Sequence, residues 1–423
     1  GSNNTFIGYL AGDANTTAGG NVAVGHAALG ANTTGANNVA LGIRTLDVNT
    51  TGGSNTALGA DALGANTTAN NNTGIGQSAL LANTTGASNV AIGANALDSN
   101  TTASYNVAVG HQAGMTQTTA AGNTFVGHAA GAYVTTGANN TFMGYLAGDA
   151  STTAHSSVFI GASAGTAFTT GNASVAVGMS ALATGTTASA TTTVGFEAGK
   201  VITTGTHNTA VGCQAGLAAT TCTYNTLIGV EAGKYITTGP NNTSVGYQAN
   251  NITTTGENNT IIGMLCRTSG ADVDNEVVLG SNGMVGKGAS TAFISGGNGA
   301  VYAGNNSASF STTSDRRIKK SIEDNNTGLD AINQVQVRNF EYRTPDEIEE
   351  LPKDAAIDKE GLQLGVIAQE IQTVLPDVVR EESTGCLTVD PGNITWYLVN
   401  AVQELSAEIE ELKKWKEEHT CCG

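Results

Sequence analysis

Ser314 and Lys319 stand five residues apart in the stretch Ser314-Asp315-Arg316-Arg317-Ile318-Lys319-Lys320. A serine hydroxyl is a poor nucleophile until a base takes its proton. Lysine suits that role once desolvation lowers its pKa and leaves the amine neutral. If a turn folds Lys319 back over Ser314, the two form a Ser-Lys dyad, and no histidine is required. The plainer alternative is that Ser314 caps a helix with Asp315 while the arginines form surface ion pairs.

The elements that must hold this stretch differ from everything before it. Residues 1–313 carry 5 Lys/Arg and 11 Asp/Glu, whereas residues 314–423 carry 12 and 23, so the chain changes character at about Ser314. Downstream, Leu329, Ile332 and Val335 suit an amphipathic helix, and residues 365–375 suit another. The end of the chain places Leu398, Val402, Leu405, Ile409 and Leu412 at spacings of 4, 3, 4 and 3 with Glu and Lys between them. That is a heptad seam, expected over about 394–418 and marginal as a helix on its own.

Ser-Asp-x-Arg-x-Lys-Lys from Ser314, Gly365-Val366-Ile367-Ala368-Gln369-Glu370, Leu375-Pro376-Asp377-Val378-Val379 and the closing seam occur in that order. In this order they resemble the endosialidase-type intramolecular chaperone domain, a self-cleaving serine peptidase family found at the end of phage tailspikes and fibres. The resemblance implies that Ser314 attacks the carbonyl before it, with Lys319 as base, so that the scissile bond is Thr313-Ser314. It implies that Asp315 and Arg316 orient the site. It further implies an autocatalytic endopeptidase that acts once on its own chain, without a cofactor, in a homotrimer.

Upstream, an aliphatic-Gly pair recurs every 17 residues, from Ile7-Gly8 through Val24-Gly25 and Leu41-Gly42 to Leu279-Gly280, giving 17 copies without slippage. An unbroken register over that length is the signature of a solenoid. A repeat usually has Asn four before the Gly, then alternating residues that read as a short strand, and a Thr-Thr pair where Asn and Gly mark a turn. Stacked strands about 4.8 Å apart predict a rod of about 75 Å. Charged residues are only 12% and aromatics 5%, which suits a narrow core. The motif Asn-x-Val-Ala-Ile/Leu-Gly-x-x-Ala resembles the head repeats of trimeric autotransporter adhesins, and this resemblance implies left-handed parallel β-rolls joined as trimers.

Other features of the rod carry less. Asn15, Asn32, Asn49, Asn66, Asn83 and Asn100 each precede Thr-Thr and satisfy the N-glycosylation pattern, which turn chemistry explains equally well. The Thr-Thr pairs could form an ice-binding array only if they faced outward in a strand. His26, His111 and His128 share the position after the repeat Gly with Tyr9, Tyr145 and Tyr247. No carboxylate shares that row, so a lateral surface is expected there and no metal site. The sparse acids of the rod, such as Asp13, Asp47, Asp61 and Asp98, fall at shifting repeat positions and form no pair suited to glycan hydrolysis. Six cysteines show no metal-ligand spacing.

The net charge of −17 disfavours nucleic acid and anionic membranes as partners, and no apolar run reaches membrane-spanning length. The chain opens inside a repeat, so either an attachment region precedes it or Gly1-Ser2 is a cloning remnant. The expectation is a mainly β protein. A trimeric parallel β-roll or β-solenoid occupies residues 1–283, a Gly/Ser-rich connector 284–313, and a small α+β chaperone domain 314–423, ending in a coiled-coil helix. The expected function is a phage tail fibre or tailspike segment of the virion, attaching to a host receptor for which a glycan is one candidate. A bacterial surface adhesin with the same chaperone end is the alternative, and a membrane-linked regulator is a third class.

Overall fold

The computed structural model describes residues 1–296, 300–303, 316–350, 357, 359–381 and 385–420. The chain divides into two units, Gly1–Thr313 and Ser314–Gly423.

In the first unit each repeat is one coil of a parallel solenoid. β1 (Thr5–Ile7) is followed by one three-residue strand per repeat, as far as Thr260–Ile262, and then by β17 (Val277–Gly280). Every strand pairs in parallel with its counterpart 17 residues on, as in Ala23↔Ala40 and Ala40↔Ala57. Between strands the main chain bonds from coil to coil as well, as in Leu29 N to Thr45 O at 3.0 Å and Thr33 N to Thr50 O at 2.9 Å. Each coil thereby satisfies its backbone groups through its neighbours.

The repeat Gly has no substitute. Gly25 takes φ +141°, and a Cβ there would stand 2.3 Å from the carbonyl oxygen of Gly42. Two positions further on, Arg44 and its equivalents are left-handed, and four further on so are Leu29 (φ 53°), Leu46 (φ 48°) and Leu63 (φ 51°). A left-handed Leu costs roughly 1–2 kcal/mol. These leucines are fully buried, and burial of such a side chain returns about 1.5–3 kcal/mol.

The core is a narrow column in which a coil buries its strand centre together with residues such as Ala28 and Leu29. The centre of each strand points inward: Ala23, Ala40 and Ala57 in early coils, Phe125, Phe142 and Phe159 in later ones. Phe142 stacks on Phe159 with ring centroids 4.7 Å apart. Residues on either side of the centre point outward, as strand geometry demands.

The segment 284–313, expected as a connector, carries two more strands. β18 (Ala292–Ser295) continues the sheet in parallel with β17, Val278 facing Phe293, and β19 (Ala300–Ala303) runs antiparallel to β18. The pairing interval here drops from 17 to 15 (293 − 278), which is why the repeat pattern no longer reveals it. Glu276 takes the place of the repeat Asn; fully buried, it accepts the N–H groups of Ser269 (2.8 Å) and Gly288 (2.7 Å). That carboxylate satisfies main-chain donors where the coil changes length.

The second unit is α+β. α1 (Leu329–Ile332) is short; β20 (Arg338–Phe340) pairs antiparallel with β21 (Gln363–Gly365); α2 (Ala368–Gln372) comes next. β22 (Val379–Glu381) pairs antiparallel with β23 (Leu387–Val389), and α3 (Pro391–Thr420) closes the chain. The helix expected over residues 365–375 begins at Ala368, because Gly365 belongs to β21. Ile371, Leu375, Val378 and Tyr397 form the core.

Candidate functional site

Thr313, Ser314 and Asp315 lie outside the described residues, so the expected dyad is represented by Lys319 and the orienting group by Arg316. A single 3-10 turn, Arg316–Ile318, precedes Lys319, whose N–H donates to Arg316 O at 3.2 Å. Lys319, Arg316 and Lys320 are exposed. The desolvation that a lysine base requires is therefore not supplied by the described part of one chain.

The segment from Asn325 to Leu329 is pinned to α3. Asn400 Nδ2 donates to Asn325 O at 2.8 Å and to Thr327 O at 3.0 Å. Leu329 N–H, at the start of α1, donates to Glu404 Oε2 at 2.7 Å. α1 has no cap from its own neighbours, and this carboxylate from 75 residues away serves instead. The approach is close: a Cβ on Gly328 would sit 2.4 Å from Glu404 Oε1. Tyr397 Oη donates to Asp377 Oδ2 at 2.6 Å, and that bond, with burial behind it, raises the phenol above its ordinary pKa. A cavity of about 620 Å³ lies between this segment and α3, lined among others by Glu323, Asp324, Asp377 and Trp396.

The Gly365-Val-Ile-Ala-Gln-Glu370 motif has a structural use. Glu370 receives Arg338 in a two-point pair, both contacts 3.1 Å, which ties α2 to β20. Both partners are largely exposed, so solvent screens the attraction and its value lies in orientation.

On the rod, the asparagines of most Asn-Thr-Thr triplets serve the fold. Asn32, Asn49, Asn66, Asn83 and Asn100 are buried, and they bond to each other in a ladder, Asn49 Nδ2 to Asn32 Oδ1 at 2.9 Å and Asn66 Nδ2 to Asn49 Oδ1 at 2.8 Å. A second ladder uses the Asn before each strand. Asn38 Oδ1 accepts from Asn55 N at 2.9 Å, and Asn38 Nδ2 reaches Gly52 O at 2.9 Å, a carbonyl that Asn49 also bonds. The first threonine of each pair donates its hydroxyl to the next coil, as Thr33 Oγ1 does to Thr50 O at 2.9 Å, so these groups hold the rod together and do not form an outward array.

The outward strand positions form an apolar face. Ile7, Leu41, Leu58, Ile92, Met143 and Ile228 are exposed one residue before the repeat Gly. One residue after it, His128 stacks between His111 and Tyr145, at 5.3 Å from each, and Tyr9 stacks on His26 at 5.5 Å. Among the described residues no three His, Cys, Asp or Glu gather to hold a metal. No described helix is long and apolar enough to cross a membrane.

The chain thus consists of a parallel solenoid and a small α+β unit with a 30-residue closing helix. Residues 314–380 match the family described as "Chaperone of endosialidase", whose members are self-cleaving intramolecular chaperones. The solenoid and this domain together fit a tailspike-like protein with a C-terminal chaperone. Two cellular proteins are also similar. "Myelin gene regulatory factor-like A" of Dictyostelium discoideum is 28% identical over 160 residues, 35% of this chain and 16% of that protein. "Myelin regulatory factor homolog 1" of Caenorhabditis elegans is 34% identical over 92 residues, 22% of this chain and 10% of that protein. The chain thus spans a sixth or less of these relatives. No solved structure matches.

Asn325, Asn400, Glu404 and the Tyr397–Asp377 pair escaped the sequence reading. Asn400 and Glu404 reach across 75 residues to a main-chain acceptor and donor that carry no sequence mark, and the Tyr397–Asp377 pair joins two side chains 20 residues apart.

Proposed function

We propose that this chain is the precursor of a homotrimeric phage tail fibre or tailspike segment, folded by residues 314–423 and then released from them by cleavage at Thr313-Ser314. Ser314 Oγ attacks the Thr313 carbonyl carbon while Lys319 Nζ takes the hydroxyl proton. The C–N bond breaks as that proton passes to the leaving Ser314 amine, leaving an ester. Water then hydrolyses the ester, giving a Thr313 carboxylate and a free Ser314 hydroxyl. Asp315 and Arg316 orient the reacting groups. The fibre serves in the virion as the part that meets a host-surface receptor, and the stacked His/Tyr row is the lateral surface offered to it.

The observation that carries the reading is the match beginning at Ser314 on a domain that follows a 17-coil rod. A rod of parallel strands nucleates slowly, since each pairing closes a long loop, and its open strand edges aggregate while they wait. A trimerising end removes both difficulties by fixing the register first. Cleavage then makes the folded rod kinetically stable, because the template for the reverse route is gone. The exposed outward face of the rod supports a trimer. Its aliphatic side chains, Ile7, Leu41, Leu58 and Ile92 among them, recur in register and stay exposed in the single chain, as an interface without its partner would. The exposed seam Leu398, Val402, Leu405, Ile409 and Leu412 on α3 supports it independently.

Light scattering on the full chain and on a chain ending at Thr313 tests this reading. Threefold mass for the first and aggregated or unfolded rod for the second are expected. A full chain that stays monomeric, or a truncated chain that folds as well as the full one, contradicts it.

A further inference from the structure

The apolar core of the rod runs as far as Ile236 and resumes at Ile261. Between them, the coil of Gly246 is polar inside. Ser244 takes the strand centre, paired in the sheet with Leu227 on one side and Ile261 on the other. Asn250 takes the left-handed place (φ 56°) that Leu29 and Leu46 hold in earlier coils. Both are fully buried, as are Thr253 and Thr268. Part of this cluster is satisfied: Thr253 donates its hydroxyl to Asn250 Oδ1, Thr268 Oγ1 lies 2.8 Å from Thr253 Oγ1, and Asn250 N–H reaches Cys266 O at 2.7 Å. Ser244 Oγ and Asn250 Nδ2, both sealed from solvent, have no partner in the chain, and Asn251 Oδ1 on the next residue has none either. In other coils the positions of Ser244 and Asn250 touch. A Cβ on Gly199 would stand 2.7 Å from Thr193 Cγ2, and one on Gly233 would stand 2.6 Å from Leu227 Cδ2. A hydroxyl and an amide are thus orphaned side by side. Asn100 Oδ1 and Ser151 Oγ, orphaned further up the rod, belong to separate coils and cannot share a partner.

We infer that Ser244 and Asn250 form an internal binding site for a water molecule, held between Ser244 Oγ and Asn250 Nδ2. A buried polar group without a partner is costly, and waters inside proteins sit where about two to four such groups converge. The guest must be neutral. Ser244, Asn250, Thr253 and Thr268 are all uncharged, so an ion would stand in the core with no opposite charge beside it. The guest must also accept, because the amide N–H can only donate, while its own protons need an acceptor such as Ser244 Oγ, which serves in either role. Water meets both conditions and is small enough for a sealed core. Where other coils fill this place with Leu or Phe, the coil of Gly246 is joined across its centre by hydrogen bonds, which accounts for the break between the two apolar stretches of the column.

The first test is a crystal structure of the purified wild-type chain at a resolution that shows ordered waters. A density peak roughly 2.7–3.2 Å from both Ser244 Oγ and Asn250 Nδ2 is expected. No peak, a peak in reach of only one of the two atoms, or a direct bond between the two side chains overturns the site. The second test counts long-lived waters in solution by oxygen-17 relaxation dispersion, on the wild-type chain and on the chain carrying Ser244→Ala with Asn250→Leu. This double variant copies the Ala40 and Leu46 arrangement, on a backbone that Leu46 already adopts (φ 48° against 56° at Asn250). It is expected to lose about one such water per chain, since both partners are replaced by carbon. An unchanged count overturns the inference, and the wild-type density decides it even where the double variant fails to fold.

Discussion

A Cβ on Gly148 would stand 2.6 Å from Cδ2 of Phe142, six residues earlier in the same coil, so the ring fills the space that a side chain at 148 would need. The same exchange runs through the rod. A Cβ on Gly131 would likewise stand 2.4 Å from the Phe125 ring and one on Gly165 2.6 Å from the Phe159 ring, whereas coils with Ala40 or Ala57 at the strand centre have Leu46 or Leu63 at the other position. Interiors conserve volume because voids and overlaps both cost free energy.

This relationship predicts a rescue. Phe142→Ala is expected to destabilise by about 3–5 kcal/mol through the cavity it leaves. Adding Gly148→Leu copies the Ala40/Leu46 arrangement and is expected to restore a large part, since Leu46 already adopts the left-handed backbone that Gly148 has (φ 48° and 57°). Guanidinium midpoints of the three chains check it, and a double variant no more stable than Phe142→Ala contradicts it.

The buried ladder gives a graded series. Asn72 Oδ1 accepts from Asn89 N at 2.9 Å and its Nδ2 bonds Gly86 O at 2.8 Å. Asn72→Ala orphans the Asn89 N–H and is expected to cost about 1–3 kcal/mol. Asn72→Ser is expected to cost less, because the rod already uses Ser174 this way, its Oγ bonding Ala188 O at 3.0 Å. Equal losses for the two, read from the same midpoints, would show that the ladder bonds carry no such weight.

Thiol chemistry separates two cysteines of the rod. Cys213 is exposed, whereas burial, the largest cause, pushes the Cys222 thiol from 9.0 up to about 11. The thiolate is the reactive form, so iodoacetamide at neutral pH is expected to label Cys213 and to spare Cys222 until the rod unfolds. The native state favours the neutral Cys222 thiol. Its contribution to stability is therefore complete below pH 9 and is lost as pH rises from 9 toward 11. Peptide mass mapping reads the labelling; rapid labelling of Cys222 in the folded rod contradicts the burial.

Charge on the exposed stripe of α3 tests assembly. Leu405→Asp combined with Ile409→Asp places carboxylates in the heptad seam and is expected to give chains that neither associate nor cleave. Light scattering and denaturing electrophoresis report the two outcomes, and trimers at the wild-type yield would remove α3 from the assembly mechanism.

The rod was legible because its period is local and repeated: the spacing from Gly8 to Gly280 sets the coil, and alternation around the Gly sets the strand. The chemistry of its asparagines was less so. Asn49 in Asn-Thr-Thr reads as a turn or a glycan acceptor until the coils are stacked, when it becomes a buried rung between Asn32 and Asn66. β18 was invisible because its interval shortens by two residues at the coil capped by Glu276. Around the candidate site, the motif order from Ser314 to Val379 identified the domain, and the heptad spacing identified α3 as a helix with a seam. The bond from Asn400 to Asn325 joins ends of the domain 75 residues apart through a carbonyl that every residue possesses, so no side-chain pattern announced it.

Self-cleavage at Thr313-Ser314, with Ser314 as nucleophile and Lys319 as base, is read most simply from intact mass under denaturing conditions. The purified wild-type chain is weighed beside Ser314→Ala and Lys319→Ala. Two fragments are expected from the wild type, one ending at Thr313 and one beginning at Ser314, and a single full-length mass from each variant. A single full-length mass from the wild type as well would contradict self-cleavage and leave residues 314–423 as a permanent trimerisation cap.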